Sequence, residues 1–187
     1  MLYTGKGDKG TSCLYGCCQD QRIGKDEPIF EALGRLDELN SYLGLCAVLA
    51  ERSDIKLKEC SVFEVVTWLQ DKLFSIQAEL GGADKQLSAE SVEQMEKWIA
   101  EVEAIIPPIK NFIISGGEEL AVHFDIARTM ARKAERQAVV VLKNTPDRLG
   151  DTELAFLNRL SSLLFALGRF TNHKFEKKER SPRYDIK

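Results

Sequence analysis

The chain has little of several residue types, and each shortage excludes a class of protein. Only two histidines are present, His123 and His173, and neither has a glutamate three residues before it, which excludes the Glu-x-x-His pairs of a di-iron bundle. The 26 Lys and Arg residues nearly balance 29 Asp and Glu residues, so the bulk charge does not attract nucleic acid or an anionic membrane. No apolar run reaches the roughly 18 residues of a membrane span, and the N-terminus has no signal-peptide core. We therefore expect a cytoplasmic protein with no nucleic-acid or membrane partner.

Cysteines are few, and their number is odd. The five are Cys13, Cys17, Cys18, Cys46 and Cys60. An odd count without a secretory signal argues against a disulfide framework and favours reduced thiols. The first three could be imagined as zinc ligands, but they lack C-x-x-C spacing and the two histidines offer little to complete a site. We therefore predict no resident metal.

Apolar residues recur at three- and four-residue steps in five segments, which predicts five helices. The segments are 28–52, 60–81, 88–105, 118–144 and 151–174. Proline opens the first segment, and Gly or Pro pairs end the second and third. With short connections and no strand alternation, the pattern predicts a single all-α domain, a five-helix up-and-down bundle. Residues 1–27 form a glycine-rich loop before the bundle at 28–174, and we expect the charged tail at 175–187 to be mobile.

The glycine-rich loop is the strongest local signal. Residues 3–16 read YTGKGDKGTSCLYG, in which glycines alternate with lysines and hydroxyl side chains. Glycine allows positive φ, and successive backbone N–H groups in such turns form a concavity that binds anions. Gly5 and Gly10 have the glycine spacing of a Walker A motif, but Thr11 stands where its lysine is required. Taken alone, the segment is either a polyphosphate-binding loop or a mobile N-terminal turn.

A polar stripe on the fourth predicted helix supplies a second constellation. Arg128, Arg132 and Glu135 fall on one helix face with Arg136 beside them, next to the apolar stripe rather than opposite it. Ion pairs on a solvated helix face would explain such charges, and each pair would stabilise the helix by about 0.3 kcal/mol. A binding site is the alternative.

Polar residues on two other predicted helices favour that alternative. Asn158, Ser162 and Arg169 share one face of the fifth helix, and Asp37 and Asn40 lie one turn apart among leucines of the first. Such groups beside apolar stripes need partners when buried. They either pair across a subunit interface or meet a ligand.

Taken together, these segments resemble the PduO-type ATP:cob(I)alamin adenosyltransferases. The matching stretches are YTGKGDKGT at 3–11, Lys25-Asp26, EALGRLDELNSYLG at 31–44, FIISGG at 112–117, ARTMARKAER at 127–136 and FLNRLSSLLFALGR at 156–169. The resemblance implies homotrimers of five-helix subunits with active sites at the subunit interfaces. It also implies transfer of the 5′-deoxyadenosyl group of ATP, used with Mg²⁺, to cob(I)alamin with release of triphosphate. A reductase that supplies Co(I) and an adenosylcobalamin-dependent acceptor enzyme are the implied protein partners.

The resemblance also assigns roles to individual residues. ATP would be contacted by loop residues of one subunit, namely Thr4, Gly5, Lys6, Gly7, Asp8, Lys9, Gly10, Ser12 and Lys25. The neighbouring subunit would complete the site with Arg132, Lys133, Glu135, Arg136 and Asn158. Of these, Lys25, Arg132, Glu135 and Asn158 would be catalytic. Asp37 and Arg128 match a pair that bridges subunits, and Phe112 matches an aromatic residue that packs against the corrin.

The chain departs from the family pattern at several positions. Gly5 and Lys6 replace the usual Arg and Thr of the loop, and Ser115 replaces a proline after the aromatic residue. Asp125 stands in place of a histidine, and Lys133 replaces a common arginine. These changes leave a second hypothesis open, in which the protein binds a corrinoid or senses ATP with little turnover.

Overall fold

Five long helices form most of the computed structural model, which describes residues 2–16 and 21–184. They are α1 (Pro28–Ser53), α2 (Val62–Leu80), α3 (Glu90–Ile105), α4 (Glu119–Leu142) and α5 (Asp151–Lys174). A short 3-10 helix at Pro146–Arg148 joins the last two. The predicted helices are confirmed to within two residues at each end. One addition to the all-α prediction is an antiparallel ribbon of β1 (Thr11–Ser12) and β2 (Ile23–Gly24).

Local sequence explains where the helices begin. Pro28 occupies the first turn of α1, and Ser61 with Glu64 forms a reciprocal capping box at α2. Gly150 is the N-cap of α5 and Asp151 is its first residue, while Ala89 is the N-cap of α3. An acidic residue in the first turn still opposes the positive end of the helix dipole, so Asp151 stabilises α5 without capping it.

Helix α5 has more buried residues than any other helix of the described chain. It contacts α3 and α4, while α1 contacts α2 and α4. Phe156, Leu160 and Phe170 of α5 are fully buried. The predicted apolar stripe of α4 is confirmed, because its small alanines are buried and let α4 pack closely between α1 and α5. The polar stripe of α4 is therefore held at a fixed angle to α5.

The C-terminal tail does not match the expected mobile end. Residues 175–184 turn back along the bundle, and the backbone N–H of Ile114 donates to the carbonyl of Arg180 at 2.8 Å. Glu179 forms an ion pair with Arg169, at 3.0 Å from Nε to Oε1, and Arg169 is only 9% exposed. A guanidinium buried to this degree requires a carboxylate partner, and the charged tail supplies it. Residues 185–187 lie outside the described part of the chain.

Two further features of the described residues complete the fold. Cys13, Cys46 and Cys60 are free thiols, whereas Cys17 and Cys18 lie outside the described residues. Within 2–16 and 21–184, no helix is both long and apolar enough to cross a membrane.

Candidate active site

The glycines of the loop have the backbone geometry that the sequence predicts. Gly5, Gly10 and Gly16 adopt φ of +65°, +75° and +75°. Two tight turns follow one another, with the Asp8 N–H donating to the Gly5 carbonyl at 3.2 Å and the Gly10 N–H to the Gly7 carbonyl at 3.1 Å. Residues other than glycine rarely adopt these φ values. The loop is a folded turn structure.

The ribbon closes this loop and brings Lys25 to it. Thr11 pairs with Gly24, and the Lys25 N–H donates to the Gly10 carbonyl at 2.9 Å. The Lys25 ammonium lies over Gly7, because a Cβ at Gly7 would be 3.0 Å from Nζ. Sequence motifs associated Lys25 with the loop, and the ribbon supplies the physical reason.

Most loop residues assigned to ATP face solvent. Thr4, Gly5, Lys6, Asp8, Lys9 and Gly10 are exposed, whereas Gly7 and Ser12 are half-buried. The exposed amides and ammonium groups form a positively charged surface that could bind phosphate oxygens.

The far end of the loop rests on the end of α2. A Cβ at Gly82 would be a tight 3.1 Å from the carbonyl of Tyr15, and Gly82 has φ of +101°, so the position favours glycine. Just before it lies a pair of acidic side chains, Glu79 of α2 and Glu153 of α5. Glu153 is 2% exposed and accepts a hydrogen bond from the Leu87 N–H at 2.6 Å. Burial, the charge of Glu153 and a hydrogen bond with it raise the pKa of Glu79 to about 7.

The polar stripe of α4 meets α5 at a hydrogen bond between side chains. The Asn158 amide donates to Glu135 Oε1 at 2.9 Å, and Arg159 donates to Asn158 Oδ1 at 2.9 Å. Arg132 and Arg136 are exposed and have no hydrogen bond or ion pair within the described part of the chain. These two cations are therefore available to an anionic ligand.

Lys133 faces α1 rather than α5. The pKa of the exposed Glu38 carboxylate is lowered mainly by the hydrogen bond from Arg35, and the charge of Lys133 adds to this effect. The lysine therefore lies on the edge of the polar stripe that borders α1.

An open cavity of about 1000 Å³ adjoins the same stripe. Phe112, Arg128, Arg132, Phe165 and Tyr184 are among its lining residues. The Arg128 guanidinium lies 5.9 Å from the centre of the Phe165 ring, a cation–π contact. Arg132 lines the cavity and lies one turn from Glu135, so the polar cluster borders the cavity, and we call the two together the α4–α5 groove.

The connection that carries Phe112 is held at several points by α5. Arg169 donates to the Pro107 carbonyl at 2.9 Å. Asn172 accepts from the Glu118 N–H at 2.8 Å, which caps the start of α4. Gly117 has φ of +110°, and a Cβ there would collide with Asn172. These contacts fix both ends of the connection, while Phe112 itself remains 79% exposed at the cavity.

Comparisons with known proteins identify the family. Residues 2–171 match the family model described as cobalamin adenosyltransferase. The chain belongs to this family. It is 39% identical over 175 residues to the corrinoid adenosyltransferase of Bacillus subtilis, covering 91% of this chain and 86% of that protein. It is 33% identical to the corrinoid adenosyltransferase PduO of Citrobacter freundii, covering 92% of this chain and 50% of that protein, so it spans about half of the latter.

Solved structures of cobalamin adenosyltransferases share the fold. A variant of the PduO-type ATP:corrinoid adenosyltransferase from Lactobacillus reuteri, complexed with cobalamin and ATP, superposes with a TM-score of 0.85 at 29% identity. The match covers 98% of this chain and 100% of that one. A second variant, complexed with ATP, has a TM-score of 0.84 at 27% identity, covering 97% and 100%. The predicted family and five-helix bundle are confirmed.

The two halves that the cobalamin adenosyltransferase resemblance assigns to ATP are not bonded to one another in the described part of the chain. Among the described residues, no hydrogen bond or ion pair links the loop at 3–12 to Arg132, Lys133, Glu135, Arg136 or Asn158. Asp37 and Arg128 are not paired either, because Asp37 is exposed and Arg128 binds Asp125 at 3.3 Å. The roles of all these residues stay predictions.

Sequence reasoning missed three parts of the site. Arg22 binds the loop, Glu179 holds the tail, and Tyr184 lines the cavity. The tail carries no periodic apolar signal, and the contacts of Arg22 and Glu179 join residues ten or eleven positions apart. Only a two-residue strand signal next to Arg22 could have pointed to the ribbon.

Proposed function

We propose that this chain transfers the 5′-deoxyadenosyl group of ATP to the cobalt of cob(I)alamin, forming adenosylcobalamin. A Co–C5′ bond forms, the C5′–O bond breaks, and triphosphate leaves with the electron pair. The observation that carries the proposal is the α4–α5 groove, in which Arg132 and Arg136, beside Glu135 and Asn158, border a cavity lined by Phe112 and Phe165. The cations suit the phosphates of ATP, and the cavity with its aromatic side chains suits a large planar corrin.

We infer further that each active site is built from two subunits of a homotrimer. The loop with Lys25 would hold the phosphates from one side, and the α4–α5 groove of the neighbour would hold them from the other. Support comes from the absence of any hydrogen bond or ion pair between the two halves among the described residues. Further support comes from exposed apolar side chains on α1 and α4, the helices that carry Asp37 and the polar stripe. These are Leu45, Val48, Ile126, Val139 and Val140.

In this arrangement the chain positions its substrates and stabilises charge. Cob(I)alamin is a strong nucleophile, so attack on C5′ requires no protein base, and the cofactor supplies the difficult step. Negative charge develops on the leaving triphosphate, and Lys25, Arg132 and Arg136 stabilise it. Asn158 orients the Glu135 carboxylate through its amide.

Mg²⁺ would enter with the triphosphate. Within the described residues, no group of three or more His, Cys, Asp or Glu side chains could hold a metal ion alone. A cation bound mainly by phosphate oxygens, with Glu135 as a nearby carboxylate, fits the preference of Mg²⁺ for few protein ligands.

Phe112 would pack against the corrin and keep water and the lower axial ligand away from cobalt. Its exposure at the cavity and the anchored connection on which it lies support this role. Because the reaction consumes Co(I), a reductase must supply it, and an adenosylcobalamin-dependent enzyme must accept the product. We place this exchange in the cytoplasm.

Incubation with MgATP and chemically reduced cobalamin tests the proposal. We expect the absorption spectrum of adenosylcobalamin to appear together with one triphosphate per cobalamin consumed. Lys25→Ala should slow the reaction, whereas Lys97→Ala, a change of an exposed lysine on α3, should not. Binding of both ligands without product would instead favour the corrinoid-binding or ATP-sensing hypothesis.

A further inference from the structure

Arg22 makes three hydrogen bonds, to Thr11 of β1 and to Cys13 just after it. Its Nε donates to Thr11 Oγ1 at 2.9 Å, and its Nη2 donates to the Thr11 carbonyl at 2.6 Å. Its Nη1 lies 3.4 Å from Cys13 Sγ. The planar guanidinium thus donates hydrogen bonds to the side chain and to the backbone of Thr11 at the same time. The single ammonium of a lysine cannot do this in the same geometry.

The ribbon that Arg22 supports is too short to be stable by itself. Each strand has two residues, Thr11–Ser12 and Ile23–Gly24. Isolated two-stranded hairpins are marginal in water even when they are longer. A side chain that bonds across the strands therefore supplies a large part of what keeps them paired.

The position of Lys25 depends on this pairing. Gly10 precedes Thr11 and accepts from the Lys25 N–H at 2.9 Å, while the Lys25 ammonium lies over Gly7. If Thr11 separates from β2, the carbonyl of Gly10 moves with it, and Lys25 loses its fixed position over the glycine turns.

We infer that Arg22 is a positioning residue for adenosyl transfer, which acts through Thr11 to set the loop and Lys25 before ATP binds. The inference rests on the proposed function, because it takes the phosphates of ATP as the ligand of the loop. Arg22 itself does not need to touch the nucleotide.

Steady-state kinetics of variants at Arg22 and Thr11 test the inference. For Arg22→Ala we expect the KM for MgATP to rise about tenfold or more, since two or three hydrogen bonds that order the loop are lost. The KM for cob(I)alamin and the kcat at saturating ATP should change by less than about twofold, because bound ATP itself orders the loop. Arg22→Lys should behave like Arg22→Ala, whereas a residue that binds phosphate by its charge would be largely rescued by lysine. Arg52→Ala, a change of an exposed arginine on the last turn of α1, is the matched control.

Thr11→Val tests whether the effect passes through Thr11. Valine keeps the shape of threonine but removes the hydroxyl acceptor, so Thr11→Val should raise the KM for MgATP in the same direction. In the double variant Arg22→Ala/Thr11→Val, the increase in the KM for MgATP should be smaller than the product of the two single-variant increases. Without ATP, hydrogen exchange at the Lys25 amide should be faster in Arg22→Ala than in the unaltered protein.

The outcomes separate this inference from the proposed function. Failure of the unaltered protein to bind MgATP would refute the proposed function and this inference with it. If the unaltered protein binds MgATP and Arg22→Ala has the same KM and the same exchange at Lys25, the inference alone is wrong. Full rescue by lysine, or equal increases in the KM of both substrates, would also overturn it.

Discussion

Removal of the Glu179 carboxylate should loosen the tail and weaken corrinoid binding. Both oxygens of Glu179 accept hydrogen bonds from Arg169, at 3.0 Å to Oε1 from Nε and at 3.0 Å to Oε2 from Nη2. Arg169 is only 9% exposed, so in Glu179→Ala a nearly buried guanidinium keeps one acceptor among the described residues, the Pro107 carbonyl. The residues that follow Glu179 lose their charged anchor at the same time.

The structure sets the size of this effect. Breaking one partner of a fully buried ion pair costs about 3–5 kcal/mol. Because the Glu179 side chain is 24% exposed and water can reach the gap, we reduce this to about 2–3 kcal/mol in the free energy of unfolding. For a chain of this length that corresponds to a decrease in Tm of about 5–10 °C.

Urea denaturation and corrinoid titration measure the two consequences. Binding of cobalamin should weaken, because Ser181, Pro182 and Tyr184 line the cavity and follow Glu179 directly. Affinity for MgATP should stay the same. Glu176→Ala, at an exposed position in the same tail, is the control. Equal stability and equal cobalamin affinity in Glu179→Ala and Glu176→Ala would show that the ion pair does not hold the tail.

Three further changes test other parts of the account. Arg132→Ala should reduce kcat/KM for ATP by an amount that corresponds to about 2–4 kcal/mol if Arg132 stabilises developing charge on triphosphate, and unchanged kinetics would remove it from the site. Asp37→Ala or Arg128→Ala should weaken the trimer in sedimentation experiments if the two residues pair between subunits, and an equally stable assembly would contradict that pairing. The pKa of Glu79 is raised from 4.5 to about 7 in the folded protein, so the folded state binds the Glu79 proton more tightly than the unfolded state does. The free energy of unfolding should therefore fall as pH rises from 4.5 through 7. The expected loss of unfolding free energy over this pH range is about 1 kcal/mol after allowance for solvent screening. Glu79→Gln should remove this loss in denaturation curves measured at several pH values. If the unfolding free energy of Glu79→Gln still falls with pH, the Glu79–Glu153 pair is not its source.

The helices could be predicted from sequence because their signal is local and repeated. In α4, alanines at helical spacing mark the buried face, and the same spacing places Arg128, Arg132 and Glu135 on one face beside it. The glycines of the loop also carry their own conformational signal, since Gly5 and Gly10 occupy positive φ.

The remaining features depend on contacts that no local pattern encodes. The Glu179 partner of Arg169 lies in a charged segment that resembles a disordered tail. Glu79 and Glu153 approach one another only after α2 and α5 have packed. Nothing in the local sequence distinguishes Arg22 from other charged residues, and only the folded ribbon places it against Thr11. Each of these side chains acquires its role from tertiary structure.

The most direct test of the shared active site is activity in mixed oligomers of two impaired variants. Lys25→Ala damages the loop and leaves the α4–α5 groove intact, whereas Arg132→Ala does the reverse. If each site combines the loop of one subunit with the groove of its neighbour, random mixing restores about a quarter of the sites, because a loop from one variant can meet a groove from the other. We expect co-expressed, co-purified mixtures to regain adenosylcobalamin formation to about that level, well above either variant alone. Mixed oligomers no more active than the separate variants would contradict the account.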